Sequence, residues 1–219
     1  VTRPLRVLVA CEYSGTVRDA FTAAGHSAMS CDLLESETPG LHYRGDVRDV
    51  LDGDGDGRPW DLLIAHPPCT DLAVSGARHF PAKIADGRQA AALDFVRLLL
   101  DAPVPRIAVE NPVSIIATHI RPASQYVQPW QYGHPETKST GLWLVNLPRL
   151  VPTDDVSAQM HGLPASQRHR VHMMPPGPDR WRERSRTFPG IAAAMADQWG
   201  ALPPAEPRTR LSVLEETLW

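Results

Sequence analysis

The chain alternates short apolar runs with stretches in which apolar residues recur every three or four positions. "RVLVA" (6–10) has strand length and ends at Cys11, Glu12, Tyr13, Ser14 and Gly15. Beyond it, Val17, Ala20, Phe21 and Ala24 fall at helical spacing, and Gly25 supplies the stop. "SAMSC" predicts a second strand that delivers Asp32, "YRGDVRDVL" delivers Asp46, and "WDLLIA" delivers His66, Pro67, Pro68 and Cys69. A helix is predicted over 89–100, and "RIAVEN" (106–111) is a strand with Glu110 and Asn111 at its end. Strands separated by helical spacers predict an α/β fold, a doubly wound, mostly parallel sheet with helices on both faces. Ligands of such sheets bind at the carboxyl ends of the strands. The polar residues just named all fall there.

Past residue 111 the pattern is weaker. "STGLWLVNLP" (139–148) is a strand, with Leu142, Leu144 and Asn146 alternating against Trp143, Val145 and Leu147. Residues 152–186 are proline-rich and read as irregular, and "FPGIAAAMADQWG" (188–200) reads as a helix opened by Pro189 and closed by Gly200. The expected organisation is one domain over 1–200, with 148–187 a basic segment inside it and 201–219 a tail carrying a short amphipathic turn.

Composition narrows the function classes. The chain has 219 residues and a net charge of −3, enough for one real core and too acidic for a wholly basic nucleic-acid binder. Its 3 cysteines, Cys11, Cys31 and Cys69, form no CxxC pair, which points away from a disulfide scaffold or a zinc site and towards a reducing, cytoplasmic setting. No run approaches the ~20 apolar residues that span a bilayer. "DGDGDG" (52–57) lacks the glutamate that a calcium loop needs, and His161, His169 and His172 lack the spacing of zinc ligands, so no metal is expected.

The candidate chemistry lies at the strand ends. Cys69, directly after Pro67 and Pro68, can act as a nucleophile, and Glu110 at the end of the adjacent strand faces the same crevice. Together they suit covalent attack on an electrophilic ring whose nitrogen a carboxyl group protonates. Taken singly, Cys69 equally fits a small buried hydrophobe and Glu110 a structural hydrogen-bond acceptor.

With the motifs in order, the chain resembles the S-adenosylmethionine-dependent cytosine-C5 DNA methyltransferases, in a short, phage-type form without a full target-recognition domain. The resemblance rests on Pro67-Pro68-Cys69, on Glu110-Asn111 with Pro112 in the place of a valine, on Tyr13-Ser14-Gly15 after the first strand, on Asp32, and on Gly45-Asp46-Val47. It implies a Rossmann-like class I methyltransferase fold with S-adenosylmethionine as cofactor and S-adenosylhomocysteine as product. It further implies that Pro68, Cys69, Glu110 and Asn111 carry catalysis, with the Glu110 carboxyl raised by burial so that it holds a proton near neutrality. Asp32 is then expected at the ribose, Asp46 and Val47 at the adenine, and Tyr13 against its ring. Ser14, Gly15, Pro67, Thr187 and Phe188 are expected to line the remainder of the cofactor site.

The departures from the family carry information too. Thr16, Val17 and Arg18 stand where further glycines are usual, Thr70 follows the catalytic cysteine in place of glutamine, and "ETKSTGLWL" leaves Lys138 and Thr140 for an arginine-rich base-holding motif. The basic residues Arg168, Arg170, Arg184 and Arg186, interleaved with Trp181, are the expected DNA contacts. Three readings follow: a DNA cytosine-C5 methyltransferase acting on duplex or single strands, an enzyme methylating free cytidine or deoxycytidine nucleotides, and a non-catalytic cofactor- or DNA-binding homologue.

Overall fold

The computed structural model of the protein describes residues 3–55, 58–203, 205, 206 and 208. The amphipathic turn expected near the C-terminus lies outside them. In chain order the elements are β1 (Arg6–Ala10), α1 (Thr16–Ala23), β2 (Ser27–Asp32), β3 (His42–Arg44), β4 (Leu62–Ala65), α2 (Phe80–Ala85), α3 (Arg88–Leu100), β5 (Ile107–Pro112), α4 (Ile116–His119), β6 (Gln125–Val127) and β7 (Thr140–Val145). They close with α5 (Ser157–Gly162), α6 (Ala165–Arg168), α7 (Arg170–Met173), α8 (Arg180–Ser185) and α9 (Pro189–Gly200).

The strands form one seven-stranded sheet in the order β3-β2-β1-β4-β5-β7-β6. The run from β3 to β5 is parallel, whereas β7 is antiparallel to both β5 and β6. This is the expected Rossmann-like sheet of the class I methyltransferase type. β1 is buried along its whole length, and alternate residues feed two cores. Val7, Val9, Leu62 and Ile64 join Val17, Phe21, Ile191, Met195 and Trp199 on the side of α1 and α9. Leu8, Ala10, Leu63 and Ala65 join Leu93, Val96, Leu99 and Leu100 on the side of α3.

α1 ends as its sequence requires. Gly25 takes a left-handed φ of 88°, while its own N–H and that of His26 close on the carbonyls of Thr22 and Phe21. Gly200 has a different task from the cap its sequence suggests. It is the last residue of α9, and a Cβ there would lie 2.3 Å from His26 Nε2, so the glycine permits α9 to approach that ring.

One expectation needs correction, and one strand went unread. The interval 152–186 is not irregular, because α5 to α8 occupy much of it as helices of 4 to 6 residues. These helices bury only Met160 and Val171, too few apolar positions to leave a periodic signal. β6 was likewise invisible, being 3 residues long. Among the described residues, no helix is long and apolar enough to cross a membrane.

Candidate active site

β4 and β5 lie side by side with Ala65 in register with Val109, so the residues that follow them emerge as neighbours. The His66 N–H continues the ladder onto the Ala10 carbonyl at 2.9 Å, and His66 Nδ1 lies 3.0 Å from Glu110 Oε2. Asn111 donates from Nδ2 to the Pro67 carbonyl at 2.9 Å, which ties the Pro-Pro segment to β5. The Cys69 carbonyl accepts from the N–H groups of Leu72 and Ala73. On the other side, the buried Lys83 of α2 donates to the Thr70 carbonyl and stands 3.3 Å from the Asp71 carboxylate, while Gln89 Nε2 donates to the Asp71 carbonyl. The segment bearing Cys69 is therefore held from both flanks.

Cys69, Glu110, Asn111, Pro67 and Pro68 line one pocket, together with Tyr13, Ser14, Lys138, Arg184, Arg186 and Thr187. Asp32, Asp46 and Val47 line a second cleft whose apolar walls include Leu33 and Phe95. Cys11 and Pro68 border both, so the two spaces are neighbours. A carboxylate beside an apolar slot at the end of β2 suits a nucleoside. Burial raises the Asp32 carboxyl, though its hydrogen bond from the Leu34 N–H works the other way. Asp46 is held down by the Arg48 N–H and guanidinium, which it accepts at 2.9 and 2.7 Å. These residues fit the adenosyl end of S-adenosylmethionine.

The electrostatics of the pocket correct one expectation. Burial does push the Glu110 carboxyl up, but the hydrogen bond from His66, the charge of Lys138 and the Thr140 hydroxyl outweigh it, and the net direction is down. Burial, followed by the Glu110 charge, pushes the Cys69 thiol up, opposed by Lys138 and Arg184. The unliganded pocket thus favours a thiol beside a carboxylate. A thiolate beside a carboxylic acid contains the same number of protons, so the two arrangements differ only in where one proton sits.

The loop after β1 is built around residues the sequence did not single out. The buried Glu12 carboxylate accepts the N–H groups of Val17 at 2.7 Å and Arg18 at 3.2 Å, capping α1. Gly15, at φ 75°, does not line either space, and a Cβ on it would lie 2.2 Å from Thr38 Oγ1 and 2.5 Å from Arg18. Arg18, 1% exposed, donates to Ser30, Ser36, Thr38 and Pro39 and so fastens the loop after Asp32 onto α1. Its signal was its place between Val17 and Phe21, on the apolar side of the helix.

The remaining sequence candidates are placed unevenly. Lys138 donates to the Arg186 carbonyl at 3.1 Å, and Arg186 pairs with Glu37 at 2.8 Å. Tyr13 borders the Cys69 pocket and not the Asp32 cleft. Its hydroxyl donates to the Arg182 carbonyl and its ring stacks obliquely on Trp181, so α8 forms a strap across the mouth. Thr140 is buried beneath Glu110. Arg168 and Arg170 do not border either space, and Arg170 is paired with Glu136 at 3.1 Å. Phe188 departs from its expected place on the pocket wall by packing into the core beside His134.

No family model matches the chain, and no curated protein matches it. Among solved structures it is similar to the crystal structure of S. pombe Dnmt2 methyltransferase, at 16% identity and a TM-score of 0.43, over 76% of this chain. The chain spans 57% of the length of that relative.

Proposed function

We propose that the protein transfers a methyl group from S-adenosylmethionine to C5 of cytosine in DNA through a covalent bond between Cys69 and C6. The observation that carries this reading is the convergence of Cys69, Glu110 and Lys138 in one pocket that shares Cys11 and Pro68 with the neighbouring Asp32 and Asp46 cleft. When bound, the cofactor supplies an electrophilic sulfonium methyl group. The chain's own residues do the rest. The Cys69 sulfur bonds to C6 while the carboxyl of Glu110 gives a proton to N3, which moves electron density onto C5. With the cofactor held by the Asp32 and Asp46 cleft, C5 would be the atom that accepts the methyl group, the sulfonium sulfur keeping the electron pair of the broken bond. Loss of the C5 proton to water then restores the ring double bond, expels the thiolate and returns the N3 proton to Glu110. Lys138 and Arg184, whose charges already favour the thiolate, hold a phosphate or the base carbonyl. Asn111 and Pro68 keep the nucleophile in place.

A second reading, methylation of free cytosine nucleotides, gains from one feature. The strap crosses the mouth, and only part of the basic segment reaches the pocket, which leaves a clamp suited to a single phosphate. The test is transfer of label from methyl-tritiated S-adenosylmethionine to duplex DNA, single-stranded DNA and deoxycytidine monophosphate, followed by digestion. Label in 5-methylcytosine from either DNA supports the proposal. Label in the nucleotide alone replaces it with the second reading, and bound cofactor without transfer to any acceptor favours a non-catalytic homologue.

A further inference from the structure

His66 is a polar residue of the pocket that the mechanism above leaves without a task. It precedes Pro67 at the end of β4, its side chain is 8% exposed, and Nδ1 is 3.0 Å from a Glu110 oxygen. Its other nitrogen, Nε2, is buried and has no hydrogen-bond partner among the described residues. The contact is set by the register of two central parallel strands, so it is as rigid as any in the fold. The proposed chemistry asks Glu110 to be an acid, yet its surroundings hold it as an anion. A proton must therefore reach the carboxylate from close by. Lys138 acts on Glu110 by charge, but its ammonium is turned to the Arg186 carbonyl. An imidazole, with two ring nitrogens that can each give or take a proton, suits a relay in a way that an ammonium does not.

We infer that His66 and Glu110 hold one proton between them, and that this shared proton is the one delivered to N3 of the target cytosine; the inference rests on the proposed methyl transfer. In the forward step the Nδ1–H bond breaks as an O–H bond forms on Glu110, leaving a neutral imidazole. The O–H bond then breaks as N3–H forms and the Cys69 sulfur bonds to C6, its S–H bond breaking as that proton passes to water. When C5 sheds its proton to water and the thiolate leaves, N3 returns its proton to the pair and the sulfur regains one from water. His66 acts through Glu110 and is a positioning residue in this scheme. The other groups facing the pair are Cys69, Lys138 and the Thr140 hydroxyl, with Cys11, Glu12, Tyr13, Arg184 and Arg186 around the same pocket.

His66→Gln keeps a neutral N–H donor for Glu110 but cannot store a proton. In the full chain, the alkaline limb of kcat should move to lower pH by about one unit, so that kcat at mildly alkaline pH falls about tenfold while KM is retained. A variant profile parallel to wild type overturns the inference, because a merely structural histidine lowers kcat evenly. A second measurement needs no turnover and no His66 variant. With 15N-labelled histidine and carboxyl-13C glutamate in the unliganded protein, the His66 and Glu110 signals should move through one pH interval, and Glu110→Gln should remove that coupling from His66. Separate intervals, unchanged by Glu110→Gln, overturn the shared proton even if methyl transfer proceeds. Coupled signals without methylation of any cytosine acceptor remove the delivery step together with the functional reading.

Discussion

The two halves of the candidate site are held by different forces. Residues 6–112 place Cys69, Glu110 and Asp32 at the ends of β4, β5 and β2, strands that are largely buried, so their position follows from register, with Asp46 just past the edge strand β3. Residues 133–138 and 180–187 bring Lys138, Arg184, Arg186 and Thr187 to the same pocket on segments that bury little. Their ties are polar: the Thr137 N–H on the Arg168 carbonyl, Arg170 on Glu136, and Tyr13 on the Arg182 carbonyl. On the proposed reading, chemistry sits on the buried half, and contact with the acceptor sits on the half tied by polar bonds.

The largest expected effect tests that division directly. Cys69→Ser removes the proposed nucleophile, and methyl transfer should fall to about a thousandth or less while cofactor binding persists. Arg184→Ala, on the other half, should cost about tenfold in kcat/KM, mainly through KM. Parallel label-transfer and cofactor-titration measurements check both. A Cys69→Ser protein that kept most of its activity would rule out the covalent mechanism.

The same substitution made at the start of the core helix α9 and beside the polar half should differ next most. Gly190 opens α9, its N–H donates to His134 Nε2 at 2.9 Å, and a Cβ there would lie 1.9 Å from the Tyr132 carbonyl oxygen. Alanine in a helix is ordinarily worth about 1 kcal/mol over glycine. Here the clash decides the sign, and Gly190→Ala should destabilise by about 1–3 kcal/mol. Gly177, before α8, has open space around its would-be Cβ, and Gly177→Ala should lie within about 0.5 kcal/mol of wild type. Urea melts of the two variants make the comparison.

Arg18 sharpens the picture inside the buried half. A lysine there cannot reproduce a guanidinium that serves Ser30, Ser36, Thr38 and Pro39 at once. Arg18→Lys should lose about 1–2 kcal/mol of stability and weaken cofactor binding, since the loop that it fastens carries the wall beside Asp32. Calorimetry of cofactor binding and a urea melt separate the two effects.

This contrast also explains what the sequence disclosed. Strands such as "RVLVA" and "LLIA", and the helices over Val17 and Phe21 or Leu93 and Val96, were legible because full burial leaves an unbroken apolar run or a 3.6-residue period. The polar residues at their ends were legible for the same reason. α5 to α8 and β6 were not, because elements held by hydrogen bonds to other segments leave no local period. Within the site, Glu12 and His66 were placed at strand ends without a role and Lys83 went unread, because their roles depend on partners far along the chain, or on a cap no propensity scale encodes. The direction of the Glu110 shift was missed for that reason: burial can be guessed from a strand, but the His66 contact comes from pairing.

The smallest expected effect concerns the strap. Arg186 and Glu37 make a 2.8 Å ion pair across the mouth, with side chains 43% and 27% exposed. At that exposure solvent screens much of the attraction, and Glu37→Gln should cost only about 0.2–1 kcal/mol, less at high salt. Global stability is thus a poor reporter. Limited proteolysis within 174–185 is a better one, because the Tyr13 hydroxyl and Lys138 contacts that remain are also polar and local. Faster cleavage in Glu37→Gln at low salt, converging on wild type as salt rises, fits a strap held by rim charges. Equal cleavage at every salt concentration would mean that Tyr13 and Trp181 hold it, and the polar half of the site would then be anchored to the buried one by an aromatic contact.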